Sequence, residues 1–196
     1  MIYLVRHGQT EFNLERRYQG GLDSPLTALG REQGRRLGAL LAGLIETPAD
    51  WTLVASPQGR AQATAGLIQE RLRLPTPIET EPRLREITLG DWDGLTDEDI
   101  AVAYPGALDG LNRWDWHFHA PKGERYESMA TRLGGWLQEA ERSQRRLVVV
   151  SHGMSGRILR GHYAGLSRDE ALRLDVPQDA VFRLADGRVE RIDAPQ

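Results

Sequence analysis

The stretch that decides the fold is MIYLVRHGQTEFN at residues 1–13. In it, an apolar run at 2–5 is followed at once by Arg6, His7 and Gly8. The run is short, partly β-branched and closed by a glycine, so it predicts a buried strand that stops at a tight turn. Ligands of open α/β sheets usually bind beyond the carboxyl ends of the strands. We therefore expect Arg6 and His7 to reach a binding site together, with Gly8 letting the backbone approach whatever His7 touches.

The same arrangement recurs later in the chain. A second strand-like run at 146–151 ends at His152 and Gly153. Between the two, a third run at 52–55 leads into a predicted helix that carries Arg60 in its first turn. If these strands lie side by side in parallel, His152 and Arg60 reach the same sheet edge as the first pair. Arginine forks match phosphate oxygens, and a neutral imidazole is a competent nucleophile, so the pattern favours phosphate chemistry.

Composition predicts one globular domain over 1–196, with 40% hydrophobic and 27% charged residues. The net charge of −3 gives no reason to expect nucleic acid binding. The absence of cysteine excludes disulfides, zinc–thiolate sites and thiol nucleophiles. No apolar run reaches membrane-spanning length, and the chain enters a strand directly, so neither a membrane partner nor a signal peptide is expected. A cytoplasmic location is the default prediction, and a homodimer is left open.

Local capping and turn chemistry outlines the scaffold. Thr27 is expected to cap a long amphipathic helix, and Thr96 a short one over 97–104. Ser167 with Glu170 three residues on has the pattern of a capping box. Asp-Gly at 186–187 lies between two strand-like runs, which predicts a terminal hairpin.

Five blocks of the chain resemble the histidine phosphatase (phosphoglycerate mutase-like) superfamily, in the family's order. They are LVRHGQTEFN at 4–13, YQGGLDSPLTALGREQ at 18–33, ASPQGRAQATA at 55–65, LREITLGDWDGLT at 84–96 and VVSHG at 149–153. The resemblance implies a three-layer α/β/α sandwich with a mostly parallel central sheet. It also implies a metal-independent, cofactor-independent phosphomonoesterase that acts on a small phosphorylated molecule.

The resemblance further assigns roles to individual residues. His7 is the nucleophile that becomes a phosphohistidine, and Glu86 is the proton donor. The transferred phosphoryl group is held by Arg6, Asn13, Arg60 and His152, and the substrate is contacted by Gln19, Gly20 and Gly153. The residues alone leave a second interpretation of Glu86 open, a structural ion pair with Arg83 or Arg85. Arg16 and Arg17 are expected in a solvated loop.

A cover over the site is predicted near 91–125, with an aromatic core at 114–119. This composition suggests a partly apolar substrate. His117 and His119 would share a face if the stretch is extended, which would make half a metal site. No third ligand stands out nearby, so the favoured interpretation is an aromatic lid without metal.

Three other functions stay open at this stage. A phosphoglycerate mutase would use the same residues, although the short chain and the segment at 89–94 favour a phosphatase. A catalytically silent protein of the same fold would bind a phosphorylated ligand without turnover. A metal hydrolase would use His117 and His119.

Overall fold

The computed structural model describes residues 1–195. Six strands form one sheet: β1 (Ile2–Arg6), β2 (Trp51–Ala55), β3 (Glu79–Thr80), β4 (Arg146–Ser151), β5 (Ala180–Ala185) and β6 (Arg188–Asp193). Seven α-helices surround it: α1 (Glu11–Leu14), α2 (Ala28–Leu44), α3 (Gly59–Leu72), α4 (Asp97–Ala103), α5 (Tyr126–Arg142), α6 (Gly153–Tyr163) and α7 (Arg168–Leu172). Short 3₁₀ helices lie at Pro48–Asp50, Pro82–Leu84, Gly90–Trp92 and Trp116–His119.

The strand order is β3-β2-β4-β1-β5-β6. The pairings of β2 with β3, β2 with β4 and β1 with β4 are parallel, whereas β5 is antiparallel to both of its neighbours. The predicted mostly parallel sheet is therefore confirmed. The register pairs Arg6 with Ser151 and Ala55 with Val150, so the strands that precede His7, His152 and the Arg60 helix end together.

The sheet is covered on both faces, which confirms the three-layer prediction. Alternate residues of β1 point to opposite sides, as the two-residue period of a strand requires. Ile2 and Leu4 belong to the core beneath α5 and α6, and Tyr3 and Val5 to the core beneath α2 and α3. Within residues 1–195, no helix has the length and apolar character needed to cross a membrane.

The predicted capping residues behave as their chemistry requires. The Thr27 side chain accepts the Gly30 N–H at the start of α2, and capping boxes begin α4 at Thr96 and α7 at Ser167. Asp186 and Gly187 have φ values of 52° and 71° and connect β5 to β6, as the hairpin prediction requires. These local predictions are confirmed.

The expected reason for Gly8 is only half right, because its close neighbour is the protein's own backbone. A Cβ on Gly8 would lie 2.2 Å from the Gly30 carbonyl oxygen, and a Cβ on Gly30 would lie 1.9 Å from the Gln9 oxygen. The turn after β1 thus rests directly on the first turn of α2. Two facing glycines permit this approach, and it fixes the path of the chain just after His7.

Candidate active site

Three strand ends build the floor of one pocket. The His7 N–H donates to the Ser151 carbonyl at 3.0 Å, which continues the β1–β4 ladder past the end of β1. The rings of His7 and His152 then lie 5.1 Å apart, edge to face at 60°. Arg6 and Arg60 line the same pocket as His7, and the charge of each lowers the pKa of His7. The structure therefore brings together the four side chains that the strand pattern predicted at this edge.

The tautomer of His7 follows from its neighbour. Nδ1 lies 2.8 Å from the Gly8 carbonyl oxygen, which can only accept, so Nδ1 carries the proton. Burial, and then the charges of Arg6 and Arg60, hold the pKa of His7 well below its ordinary value. The ring is therefore neutral, and its lone pair is on Nε2, the nitrogen available to a molecule in the pocket.

Two arginines, Arg6 and Arg60, each have a buried Nε without a hydrogen-bond partner in the described chain. Nη1 of Arg6 donates to the Val176 carbonyl at 2.7 Å, and Nη1 of Arg60 to the Leu22 carbonyl at 2.6 Å. Burial lowers the pKa of Arg6 to about 10, so it is still a cation at neutral pH. Buried cationic donors without a partner are costly unless an anion completes them.

Asp23 fixes the orientation of Arg60. Its carboxylate lies 3.1 Å from Nη1, in a pair whose arginine side chain is 1% exposed and whose aspartate is 39% exposed. The same carboxylate accepts the N–H groups of Gly59 and Arg60, so it also caps the start of α3. The outer carboxylate thus holds the inner guanidinium from the solvent side.

His152 is the one predicted site residue that is not in the wall of the pocket. It is 1% exposed, and its Nε2 lies 2.7 Å from the Ser56 hydroxyl. Its Nδ1 is buried and has no partner within residues 1–195. Burial, followed by the charges of Arg60, His7 and Arg6, keeps the pKa of His152 well below its ordinary value, so this ring is neutral too.

Asn13 turns its amide nitrogen to the pocket. Its Oδ1 accepts the Thr10 N–H at 3.2 Å and the Gln178 Nε2–H at 3.1 Å. Because both partners are donors, the oxygen must face them. The NH₂ group is left for a ligand.

Glu86 lies at the amino end of α6. Its Oε2 accepts the Met154 N–H at 3.0 Å, and its Oε1 accepts the Ser155 N–H at 3.0 Å and the Ser155 hydroxyl at 3.1 Å. A carboxylate is favoured at this position by the free N–H groups and the helix dipole. The backbone amides at the start of α6 therefore hold the Glu86 carboxylate in place.

The alternative interpretation of Glu86 as an ion-pair partner is wrong. Arg83 pairs with Glu81 and Glu139, and Arg85 lies nearest to Glu124 at 3.8 Å. Both arginines are thus committed to other carboxylates, and the Glu86 side chain lines the pocket instead.

The three predicted substrate-contacting residues also line the pocket. Gly153 lies beside Arg6 and Glu86, because a Cβ there would lie 3.6 Å from Arg6 Nε and 3.7 Å from Glu86 Oε2. Gly20 has a φ of 48°, and its carbonyl accepts an Arg60 amino group at 3.1 Å. Gln19 is buried.

Gln58 connects two of these parts and was not predicted. Its Nε2 donates to the Gly20 carbonyl at 2.8 Å, and its Oε1 accepts the Glu86 N–H at 2.8 Å. It therefore sets the spacing between the proposed acid and the loop that holds Arg60. Its place directly before α3 in the motif is the signal that could have found it.

The pocket has a volume of about 190 Å³. Six residues of its wall had no predicted role: Tyr18, Ile87, Leu89, Met154, Arg157 and Val176. Arg17 and His117 also line the pocket. Arg17 is half-buried and paired with Asp99 at 2.9 Å, so the expectation of a solvated loop is wrong for this residue. Arg157 follows Gly153 by four residues, a spacing that places both on one helix face.

The cover segment differs from the extended form considered above. Trp116–His119 is a 3₁₀ helix, in which the His117 ring stacks on Trp116 at 3.9 Å and His119 is exposed. Trp116 packs against Trp92 and Tyr18, so the cover turns its indole inward and presents His117 to the pocket. Over residues 1–195, no cluster of three histidine, cysteine or acidic side chains could hold a metal ion.

Comparison with known proteins agrees with this geometry. A model of the histidine phosphatase superfamily (branch 1) matches residues 2–188. A glucosyl-3-phosphoglycerate phosphatase from Mycolicibacterium vanbaalenii is 36% identical over 162 residues, which cover 78% of this chain and 68% of that protein. A probable phosphoglycerate mutase from Enterobacter sp. (strain 638) is 33% identical over 193 residues, covering 93% and 83%.

A solved structure gives the same picture. The structure of a mycobacterial glucosyl-3-phosphoglycerate phosphatase complexed with VO3 superposes with a TM-score of 0.80 at 28% identity, covering 99% of each chain. Some relatives are much longer. The chain spans 38% of the length of a 6-phosphofructo-2-kinase/fructose-2,6-bisphosphatase from Caenorhabditis elegans, to which it is 33% identical over 185 residues.

Proposed function

The chain belongs to the histidine phosphatase superfamily, and from this membership we propose that it hydrolyses phosphomonoesters through a phosphohistidine at His7, without a metal or other cofactor. The observation that carries the proposal is a neutral nucleophile in one pocket with two arginines whose buried Nε atoms have no hydrogen-bond partner in the described chain. His7 keeps its lone pair on Nε2 because Nδ1 donates to Gly8. Arg6 and Arg60 both line the pocket, and the Nε of each is buried without a hydrogen-bond partner in the described chain. Phosphoryl transfer needs mainly such positioning and charge neutralisation.

In the first step, Nε2 of His7 attacks phosphorus in line. The N–P bond forms while the bond from phosphorus to the ester oxygen breaks. The ring becomes cationic, and the Gly8 carbonyl that accepts from Nδ1 stabilises that charge. Glu86, entering protonated, gives its proton to the departing oxygen, so an alcohol leaves rather than an alkoxide.

The non-bridging oxygens receive negative charge during this transfer. The donors proposed for them are Nε of Arg6 and Arg60, the Asn13 amide and Nδ1 of His152, the last as a neutral N–H. Groups preorganised in a buried site stabilise such charge without having to rearrange. Loss of one contact of this kind typically costs on the order of 10²–10³ in rate.

In the second step, water attacks the phosphohistidine and Glu86 takes its proton. The N–P bond breaks, orthophosphate leaves, and His7 returns to the neutral form with Glu86 protonated again. Atoms and protons balance, since one ester and one water yield one alcohol and one phosphate.

The decisive test is phosphate release from a panel of phosphomonoesters in excess chelator. Wild type should turn over, and His7→Ala should not, whereas the exposed His119→Ala serves as a matched loss of a histidine. Quenching of a burst with ³²P substrate in alkaline detergent should trap an alkali-stable, acid-labile phosphoprotein in wild type only. Turnover by His7→Ala would refute the proposal, and activity that requires a metal would favour the hydrolase with His117.

A phosphoglycerate mutase is the second candidate, and the 33% identical probable mutase supports it. The two activities differ in where the phosphoryl group goes. With labelled phosphoglycerate, a mutase moves the label between hydroxyl groups, and a phosphatase releases it as orthophosphate. A protein that binds phosphoglycerate and does neither would be a silent ligand-binding member.

Location and assembly complete the proposal. We place the protein in the cytoplasm and retain a homodimer as its candidate assembly. Light scattering on the purified chain measures the assembly directly, and a monomer mass at working concentration would remove the dimer.

A further inference from the structure

One arginine in the pocket has no part in the phosphoryl transfer proposed above. Arg157 lies on α6 and lines the pocket together with Gly153, one turn before it. Its Nε donates to the Leu174 carbonyl at 2.5 Å, which anchors the guanidinium. Its two terminal amino groups make no hydrogen bond within residues 1–195. A planar fork of two donors is thus left free beside a cavity.

The carboxylates near Arg157 are engaged elsewhere. Burial lowers the pKa of Arg157, and Glu86 and Asp175 partly oppose this effect. Asp175 is paired with Arg160 at 3.1 Å and with Arg191 at 2.5 Å. The Glu86 carboxylate accepts the amides at the start of α6. In the described part of the chain, Arg157 therefore has no ion-pair partner, and its side chain is half-buried.

The charge of Arg157 reaches both ends of the pocket. Burial is the main cause of the lowered pKa of Arg6 and of His117, and the charge of Arg157 lowers both further. The Arg157 guanidinium lies 6.0 Å from the centre of the Trp114 ring, which places it beside the cover. His117 is neutral, with a pKa of about 4, and its buried Nδ1 has no partner among the described residues. The cover thus adds a polar, uncharged ring to this end of the pocket rather than a second cation.

We propose that Arg157 binds a second anionic group of the substrate, so that the preferred substrate is a phosphomonoester that also carries a carboxylate or a second phosphate. This inference rests on the proposed function, because the phosphoryl group to be transferred must occupy the site between Arg6 and Arg60. The planar fork of an arginine matches two oxygens of either anion. Four apolar residues also line the pocket and suit a short carbon body: Ile87, Leu89, Met154 and Val176.

Two matched substrate pairs test the inference and separate the two anions. 3-Phosphoglycerate and glycerol 3-phosphate differ by a carboxylate against a hydroxymethyl group. The bisphosphate and monophosphate of propane-1,3-diol differ by a second phosphate. In wild type, kcat/KM should favour the anionic member of at least one pair by about 10- to 100-fold, the effect of one charge-assisted contact. The pair that shows the preference identifies the anion.

The preference should disappear in Arg157→Gln, with the two members of the pair within about threefold of each other. Arg113→Gln is the matched control, since Arg113 stacks on Trp114 at 4.4 Å in the cover but does not line the pocket. It should keep the wild-type ratio. An equal loss on both members in Arg157→Gln would mean that Arg157 serves the phosphoryl group or the fold, and would overturn the inference.

A binding measurement on wild type covers the case in which Arg157→Gln does not fold. Calorimetry should show that 3-phosphonopropanoate, propane-1,3-diylbisphosphonate or both bind at least about tenfold more tightly than propylphosphonate. Equal affinities of all three compounds would overturn the inference. Phosphonates are not hydrolysed, so this binding preference is measured independently of catalysis. A binding preference in a protein that releases no phosphate from phosphomonoesters would refute the proposed function alone. Phosphate release without a binding preference would refute only the role of Arg157.

Discussion

The hydroxyl of Ser56 lies 2.7 Å from Nε2 of His152, and both groups are buried. His152 is neutral, so only one of its nitrogens carries a proton. To donate to a phosphoryl oxygen from Nδ1, it must receive the Ser56 proton at Nε2. Ser56 thus decides whether His152 is a donor or an acceptor towards the substrate.

Ser56→Ala should therefore lower kcat by about tenfold, the value of one hydrogen bond of roughly 1.4 kcal/mol. The substitution frees the His152 tautomer while leaving His7 in place. Steady-state kinetics with p-nitrophenyl phosphate measures the effect. The exposed Ser128→Ala is the control for loss of a serine hydroxyl. Unchanged kcat in Ser56→Ala would show that the hydroxyl does not set the tautomer.

Glu86→Gln should separate substrates by their leaving groups. Hydrolysis of alkyl phosphates should slow by about 10²–10⁴, the usual contribution of a general acid. p-Nitrophenyl phosphate should lose far less, because its leaving group hardly needs a proton. The glutamine oxygen can still accept an amide at the start of α6, so the fold is retained. Equal losses on both substrates would mean that Glu86 is not the acid.

Two glycine-to-alanine changes should have opposite outcomes. In Gly153→Ala, the new methyl makes ordinary contacts at 3.6 and 3.7 Å, so the free energy of unfolding should stay near wild type. The methyl would nevertheless occupy substrate space, and we expect kcat/KM to fall by about tenfold or more, the effect of roughly 1.4 kcal/mol. In Gly8→Ala, the methyl would meet backbone at 2.2 Å, so stability should fall by about 3 kcal/mol or more.

Urea unfolding and kinetics on both variants check this contrast. A stable Gly8→Ala would show that the turn after β1 can leave α2. An unfolded Gly153→Ala would show that this glycine serves the fold rather than the substrate.

Stability should depend on pH through His117. Its pKa is about 4 in the folded chain and about 6.5 when unfolded, so the unfolded state binds the proton first as the pH falls. The stabilisation is present above about pH 6.5 and is lost between there and about pH 4, by at most about 1.4 kcal/mol per pH unit. Unfolding of His117→Gln at pH 7 and 5 should show a smaller loss than wild type, with His119→Gln as the control.

The family and the layers could be predicted from the resemblance of five sequence blocks, and most element ends could be predicted because local chemistry determines them. Thr27, Ser167 and the Asp-Gly turn at 186–187 satisfy their caps and hairpin through neighbours within three residues. The meeting of His7 and His152 could be predicted because strand ends in a parallel sheet share an edge. The residue roles and the single-domain assignment of 1–196, in which Gln196 lies outside the described residues, stay predictions.

What could not be predicted depends on long-range packing. Arg83 and Arg85 precede Glu86 in sequence, yet its carboxylate accepts the adjacent Ile87 amide and two amides nearly seventy residues away at the start of α6. The stretch around His117 has alternating aromatic residues, yet it forms a 3₁₀ helix in which Trp116 packs against Trp92 and Tyr18. Arg157 has the ordinary sequence context of an exposed helix arginine, and only the assembled pocket shows its position.

The position of Glu86 at the amino end of α6 couples the chemistry to local opening of that helix. The proposed cycle places a proton on Glu86 before each transfer and removes it during the transfer. A protonated carboxyl accepts more weakly from the Met154 and Ser155 amides, so the first turn of α6 opens more readily in that form. Amide hydrogen exchange at these two residues then follows the protonation of the acid, and the charged form protects them.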